Sequence, residues 1–132
     1  MRSEKELRER LKKKKFNDEA IRETIAFLKD KNFINDCTFA HKWLESRLRK
    51  PLGLRKIKQE LKIKGISPEI IDKEFNALKV NYSEENVLLR IIKEKSDKLK
   101  TLDPQKAKRR IYAYLLRRGF SQETVIEAMK KL

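Results

Sequence analysis

Three stretches of this chain can be laid over one another without a gap: LRERLKKKKFNDEAIRETIAFL from residue 7, IKQELKIKGISPEIIDKEFNAL from residue 57 and IYAYLLRRGFSQETVIEAMKKL from residue 111. Their apolar positions coincide: Leu7, Ile57 and Ile111; Leu11, Leu61 and Leu115; Phe16, Ile66 and Phe120; Ile21, Ile71 and Val125; Ile25, Phe75 and Met129; Leu28, Leu78 and Leu132. The polar punctuation coincides as well, with Asn17, Ser67 and Ser121 in the cap column and Glu19, Glu69 and Glu123 two residues later. Helical periodicity alone would align apolar columns, but it would not align caps and acids. The chain is therefore read as an internal repeat of roughly fifty residues, the mark of stacked helical units.

Local signals set the elements of each unit. Ser3 and Glu6 have capping-box spacing and open a helix over about 4 to 14, and Asn17 caps a second over about 18 to 30. Asn35 or Asp36 starts a third, which Pro51 forbids from continuing, and Leu54 to Lys64 makes a fourth that ends at Gly65. Ser67-Pro68-Glu69 opens the fifth with a cap, an N1 proline and an early acid. Ser83 begins a sixth over about 84 to 100, Asp103-Pro104 a seventh and Ser121 an eighth.

The intervening helices repeat too: INDCTFAHKWLESRL overlays YSEENVLLRIIKEKS, pairing Phe39 with Val87, Ala40 with Leu88, Trp43 with Ile91 and Leu44 with Ile92. The expected fold is all-α, with about eight helices in tandem three-helix repeats. Residues 1–34 form a first repeat reduced to its last two helices, 35–80 a second and 81–132 a third. The pattern calls for a helix ahead of residue 1, so either the chain has been shortened or the first repeat is incomplete.

Chemistry is sparse in this sequence. Cys37 is the only cysteine and His41 the only histidine, so no zinc ligand set can be assembled. Cys37 is expected half-buried and His41 on a helix surface. No phosphate-binding glycine loop, HExxH or nucleophile-and-base pattern occurs, and the acids cluster in first helical turns where the helix dipole accounts for them. No catalytic, cofactor-binding or metal-binding residue is assigned, and the protein is read as a non-enzyme that needs no cofactor. A lone cysteine, no recognisable leader and no apolar run of membrane-spanning length point to a soluble protein of a reducing cytoplasm.

Charge is the functional signal. Thirty-five Lys and Arg against 20 Asp and Glu give a net charge of +15, which favours an acidic or polyanionic partner. Helix, short turn and helix is the outline of a DNA-binding motif, and it occurs three times here. The second helices, however, begin Asp18-Glu19, Pro68-Glu69 and Gln122-Glu123, and carboxylates there would face the polyanion.

The first helix of each pair differs. With Ile57 and Leu61 inward, Arg55 points outward with Lys62 near it, and Arg109 and Lys5 hold the place of Arg55 in the other repeats. Around them lie Lys12, Lys13 and Lys14, then Arg47, Arg49 and Lys50, then Arg110, and finally Arg117 and Arg118. Stacked repeats would align these candidates as a basic stripe for a long acidic or nucleic-acid-containing partner. Arg117 and Arg118 are read as dispensable for the corner they occupy, and hence as partner-facing. Trp43, one turn after Phe39, is read as a core anchor rather than a base-stacking platform.

Nearly the whole chain resembles the RecX family of bacterial recombination regulators, through NDCTFAHKWLESR, Gly53, IKQELKIKGIS and YLLRRGFSQETV in that order. Phe39, Ala40, Trp43, Arg47, Gly53, Glu60, Leu61, Gly65, Ile66, Gly119 and Phe120 carry the likeness. The resemblance implies that the repeats form an elongated, curved array and that the protein is non-catalytic, binds the RecA recombinase filament on single-stranded DNA and limits filament growth, ATP hydrolysis and strand exchange; it is read as a monomer. A general module that binds single- or double-stranded DNA through phosphates is the alternative. One departure is Lys15, which stands in the column of Gly65 and Gly119, so that its helix either strains into the left-handed region or ends differently.

Overall fold

The computed structural model describes residues 1–131. Among them are eight helices and no strand: α1 (Glu4–Lys13), α2 (Asp18–Asp30), α3 (Asp36–Leu48), α4 (Leu54–Ile63), α5 (Pro68–Leu78), α6 (Glu84–Lys98), α7 (Pro104–Arg117) and α8 (Gln122–Met129). The caps act as their spacing requires. Asn17 accepts from the Ala20 amide at 2.7 Å, Ser83 from Asn86 and Ser121 from Thr124 at 3.2 Å, and Asp103 from Lys106 at 3.4 Å. At α3 the cap is Asn35, whose Oδ1 accepts from the Thr38 amide at 3.1 Å, which leaves Asp36 for another partner.

Each repeat encloses its own small core. Ile21, Ile25 and Ile34 form the first with Leu7, Leu11 and Leu28 against them; Phe39, Ala40, Leu61, Ile66 and Ile71 form the second. Leu88, Ile91, Ile92, Ile111, Leu115, Phe120, Val125 and Ala128 form the third and largest. Leu132, the last member of its apolar column, lies outside the described residues. Trp43 stacks on Phe39 with ring centroids 5.9 Å apart and packs against the second core, as expected of an anchor, while its Nε1 donates to Glu60.

The chain forms two compact units, one of Met1–Ser46 with Gln59–Leu78 and one of Arg47–Lys58 with Lys79–Leu132. Each contains one joint in which the start of a repeat's penultimate helix meets the end of the equivalent helix of the next repeat. In the first unit, the Ser3 hydroxyl donates to the carbonyl of Lys64, the residue after α4, at 2.8 Å. In the second, the Gly53 amide donates to the carbonyl of Arg118, the residue after α7, also at 2.8 Å.

A second bond repeats alongside the first. The first amide of α1, that of Glu4, donates to Asp36 at 2.9 Å, and the first amide of α4, that of Leu54, donates to Glu84 at 3.2 Å. Ser3 and Gly53 occupy one repeat column, as do Asp36 and Glu84. A carboxylate from the neighbouring repeat thus caps an amide that its own helix cannot satisfy, at the end where the dipole favours an anion.

These joints explain the glycine column. Gly65, Gly119 and Lys15 all adopt positive φ, at 82°, 90° and 66°, so Lys15 takes the left-handed turn rather than ending α1 another way. Only the two glycines are also crowded. A Cβ on Gly65 would lie 2.5 Å from the Lys5 Cβ, and one on Gly119 would lie 2.2 Å from the Lys56 Cβ. Lys15 is exposed, and among the described residues no helix start is bonded to the Lys14 carbonyl.

One apolar column breaks in the first repeat, and one expectation needs correction. Phe16, in the column of Ile66 and Phe120, is 53% exposed whereas they are 4% and 1% exposed. Ile66 packs with α3 residues and Phe120 with α6 residues, and no helix among the described residues plays that part for Phe16. Cys37 is exposed rather than half-buried, because it sits in the first turn of α3, ahead of the packed Phe39 and Ala40.

Candidate partner-binding surface

Helix α7 begins at the Asp103 cap with Pro104 in its first turn, and it turns Ile111 and Leu115 into the third core. That phase leaves Arg109, Arg110 and Arg117 exposed, with Ala113 and Tyr114 half-buried at the flank. Helix α6 buries Ile91 and Ile92, and its last turns carry Lys95 and Lys98 towards the same flank. Between the two helices lies a cleft of about 570 Å³, floored by Leu99, Ile111, Ala113 and Tyr114 and rimmed by Lys95, Lys98, Arg109, Arg110 and Arg117.

No acid lines this cleft, and among the described residues none of the five rim cations is paired with a carboxylate. The Lys95 ammonium sits 4.1 Å from the Tyr114 ring centre and the Arg118 guanidinium 5.9 Å from it, so the tyrosine already holds two cations. Like charges gathered without counter-ions over an apolar floor raise the local positive potential and favour an anionic occupant. Arg109, Arg110 and Arg117 are thereby brought together. Lys95 and Lys98 are additional to the residues singled out by sequence; their signal was the spacing Ile91, Lys95, Lys98 along one side of α6.

Arg118 differs from its neighbour. Its Nε donates to the Pro51 carbonyl at 3.0 Å, its own carbonyl accepts from Gly53 and its guanidinium lies over Tyr114, so it builds the corner that it was expected merely to decorate. Lys5 is exposed, but its ammonium donates to the Ile63 carbonyl at 3.1 Å and its stem covers Gly65, so it too serves a joint.

Of the remaining candidates, Lys12, Lys13, Lys14 and Lys62 are exposed in the first unit, and Arg49, Lys50 and Arg55 are exposed in the second, beside a half-buried Arg47. The acids that begin the second helices, Asp18, Glu19, Glu69 and Glu123, are all exposed. His41 is an exposed residue, as expected; Glu74 at 3.0 Å and Glu45 at 3.3 Å raise its pKa above the ordinary imidazole value, Glu74 foremost. Among the described residues no group of His, Cys, Asp and Glu is placed to hold a metal ion, and no helix is long and apolar enough to cross a membrane.

Comparison with known proteins gives a consistent result. Three family models match in chain order: the first three-helix domain of RecX over residues 1–28, the second over 35–73 and the third over 83–129. The regulatory protein RecX of Clostridium beijerinckii is 38% identical over 133 residues, covering 98% of this chain and 61% of its own length. That of Mannheimia succiniciproducens is 33% identical over 122 residues, covering 92% of this chain and 78% of its own. The chain thus spans about three fifths of the length of its clostridial relatives, 61% and 62% for two of them. The crystal structure of RecX from Lactobacillus salivarius shares the fold with a TM-score of 0.82 at 21% identity, over 100% of this chain and 86% of that one.

Proposed function

Because this chain belongs to the RecX family of regulatory proteins, we propose that it regulates the RecA recombinase by binding the recombinase filament on single-stranded DNA. It limits filament assembly, ATP hydrolysis and strand exchange by occupancy, with no chemistry and no cofactor of its own, and it acts as a monomer in the cytoplasm. The observation that supports this reading best is the rim of Lys95, Lys98, Arg109, Arg110 and Arg117, which among the described residues meets no carboxylate, in a chain of net charge +15. Further exposed cations at Arg49, Lys50, Arg55, Lys12, Lys13, Lys14 and Lys62 supply additional weak contacts. Several such contacts to successive filament subunits add into one firm attachment, because each after the first is made at high effective concentration.

The competing reading is a general DNA-binding module, and the net charge favours it. Against groove reading by the second helices stand the exposed Glu19, Glu69 and Glu123 at their N-termini, which would face phosphates. The test is recombinase ATPase on single-stranded DNA with this protein titrated in, alongside binding to the DNA alone. Inhibition well below one protein per recombinase, lost when Arg109, Arg110 and Arg117 are reversed to glutamate, is the expected result. Tight, steeply salt-dependent DNA binding without inhibition would replace this reading with the alternative.

A further inference from the structure

The cleft between α6 and α7 has a chemistry more specific than positive charge. Its rim is cationic, but its floor is apolar, made of Leu99, Ile111 and Ala113 beside the Tyr114 ring. A phosphate backbone would use the rim and leave the floor wet. A nucleobase would seek an aromatic face, yet the tyrosine in the cleft, Tyr114, already has Lys95 at 4.1 Å and Arg118 at 5.9 Å from its ring centre. An occupant that satisfies both parts must bring anions to the rim and an apolar group to the floor.

We infer that this cleft receives an acidic protein segment in which one aliphatic or aromatic side chain enters between Ala113 and Leu99 while flanking carboxylates meet Lys98, Arg109 and Arg117. The inference deepens the docking reading above and rests on it in assigning that segment to the recombinase. Arginines on the rim suit the role, since the guanidinium fork takes carboxylates in bidentate geometry, and an aliphatic anchor in a small apolar recess supplies the centre of a recognition site. Alternating acidic and apolar side chains, rather than acidity alone, is then what the regulator selects.

The experiment uses the full chain and a fluorescein-labelled peptide of glutamates around a central leucine, with a polyglutamate peptide of equal charge and an oligothymidylate as comparisons, all read by fluorescence anisotropy. The expected result is that the leucine peptide binds about tenfold more tightly than polyglutamate, and that Ala113→Phe, which fills the floor, and Lys98→Glu each weaken it about tenfold. Oligothymidylate binding is expected to ignore Ala113→Phe. Circular dichroism and the thermal midpoint establish that the variants are folded, and Lys98, being exposed, serves should Ala113→Phe fail to fold.

Equal binding of the two peptides, or indifference of the leucine peptide to the folded variants, would overturn the inference. Oligothymidylate binding that is lost with Ala113→Phe would assign the cleft to nucleic acid instead. Inhibition of recombinase ATPase is measured separately on the unsubstituted protein: inhibition without peptide binding sinks only the cleft assignment, and absence of inhibition sinks the docking reading.

Discussion

Gly53 and Gly119 meet backbone to backbone: a Cβ on Gly53 would stand 2.3 Å from both the carbonyl carbon and the carbonyl oxygen of Gly119. The Gly53 amide uses that closeness to donate to the Arg118 carbonyl at 2.8 Å. Gly53 has no unusual φ, so it is a glycine for want of space, whereas Gly119 needs both space and its φ of 90°. Gly53→Ala must separate two main chains, and neither can yield without losing the bond. We expect a loss of about 3 kcal/mol in urea unfolding. A loss under about 0.5 kcal/mol, the range of an ordinary surface change, would show that the two segments do not meet in this way.

The column of Lys15, Gly65 and Gly119 predicts opposite outcomes for reciprocal changes. Lys15 carries a side chain at φ 66°, and it is exposed. Lys15→Gly relieves left-handed strain at the cost of some backbone entropy, so a gain of about 0.5 kcal/mol is expected. Gly65→Lys introduces the same strain and drives a Cβ to 2.5 Å from that of Lys5. It should cost more than about 2 kcal/mol. Equal and opposite effects in thermal unfolding would mean that φ alone governs the column and that the joint adds nothing.

Much of the fold was legible because its signals are local. Caps, prolines and apolar spacing placed all eight helices to within two residues at the ends given, and the repeat columns grouped them. The joints were not legible, since Ser3 finds Lys64 and Gly53 finds Arg118 across more than sixty residues, and nothing near Ser3 marks a hydroxyl that must serve two bonds. The same limit misjudged Arg118. As the partner of Arg117 in a dipeptide it looked interchangeable with it, but successive helical residues point about 100° apart, and only one of the pair reaches Pro51. Phe16 shows the converse limit: a column marks an apolar residue, not a neighbour that buries it.

The carboxylates at the joints give stability a pH dependence of opposing signs. Glu84 is pushed above the ordinary 4.5 by burial, which the Leu54 amide only partly offsets. A raised carboxyl favours the protonated form in the fold, so its contribution is full below the unfolded value and is lost as pH rises through the folded one. Burial also pushes Glu6 upward, but the Ser3 amide and the Lys64 ammonium outweigh it and hold the carboxyl below 4.5. Its contribution is present above that value and lost as pH falls. Urea midpoints on either side of pH 4.5 should therefore respond differently: Glu84→Gln raises stability at neutral pH relative to acid, and Glu6→Gln lowers it at neutral pH and leaves acid stability nearly unchanged. The reverse pattern would mean that the two joints are misassigned.

On the proposed docking reading, Arg117 and Arg118 separate partner binding from architecture at adjacent positions. Arg118→Ala removes the bond from Nε to the Pro51 carbonyl and the cation over Tyr114, though the main-chain bond to Gly53 survives. A half-buried charged donor lost from such a bond corresponds to about 1.5 kcal/mol, visible as a lower urea midpoint. Arg117→Ala removes an exposed cation of the cleft rim and should leave the midpoint within about 0.5 kcal/mol while weakening inhibition of recombinase ATPase. The two variants differ from the parent by the same unit of charge, so a purely long-range electrostatic contribution to binding would weaken inhibition equally in both. Greater weakening with Arg117→Ala, despite its intact stability, is the expected outcome. If Arg118→Ala alone were defective, binding would depend on the corner's geometry and the rim would lose its assigned role.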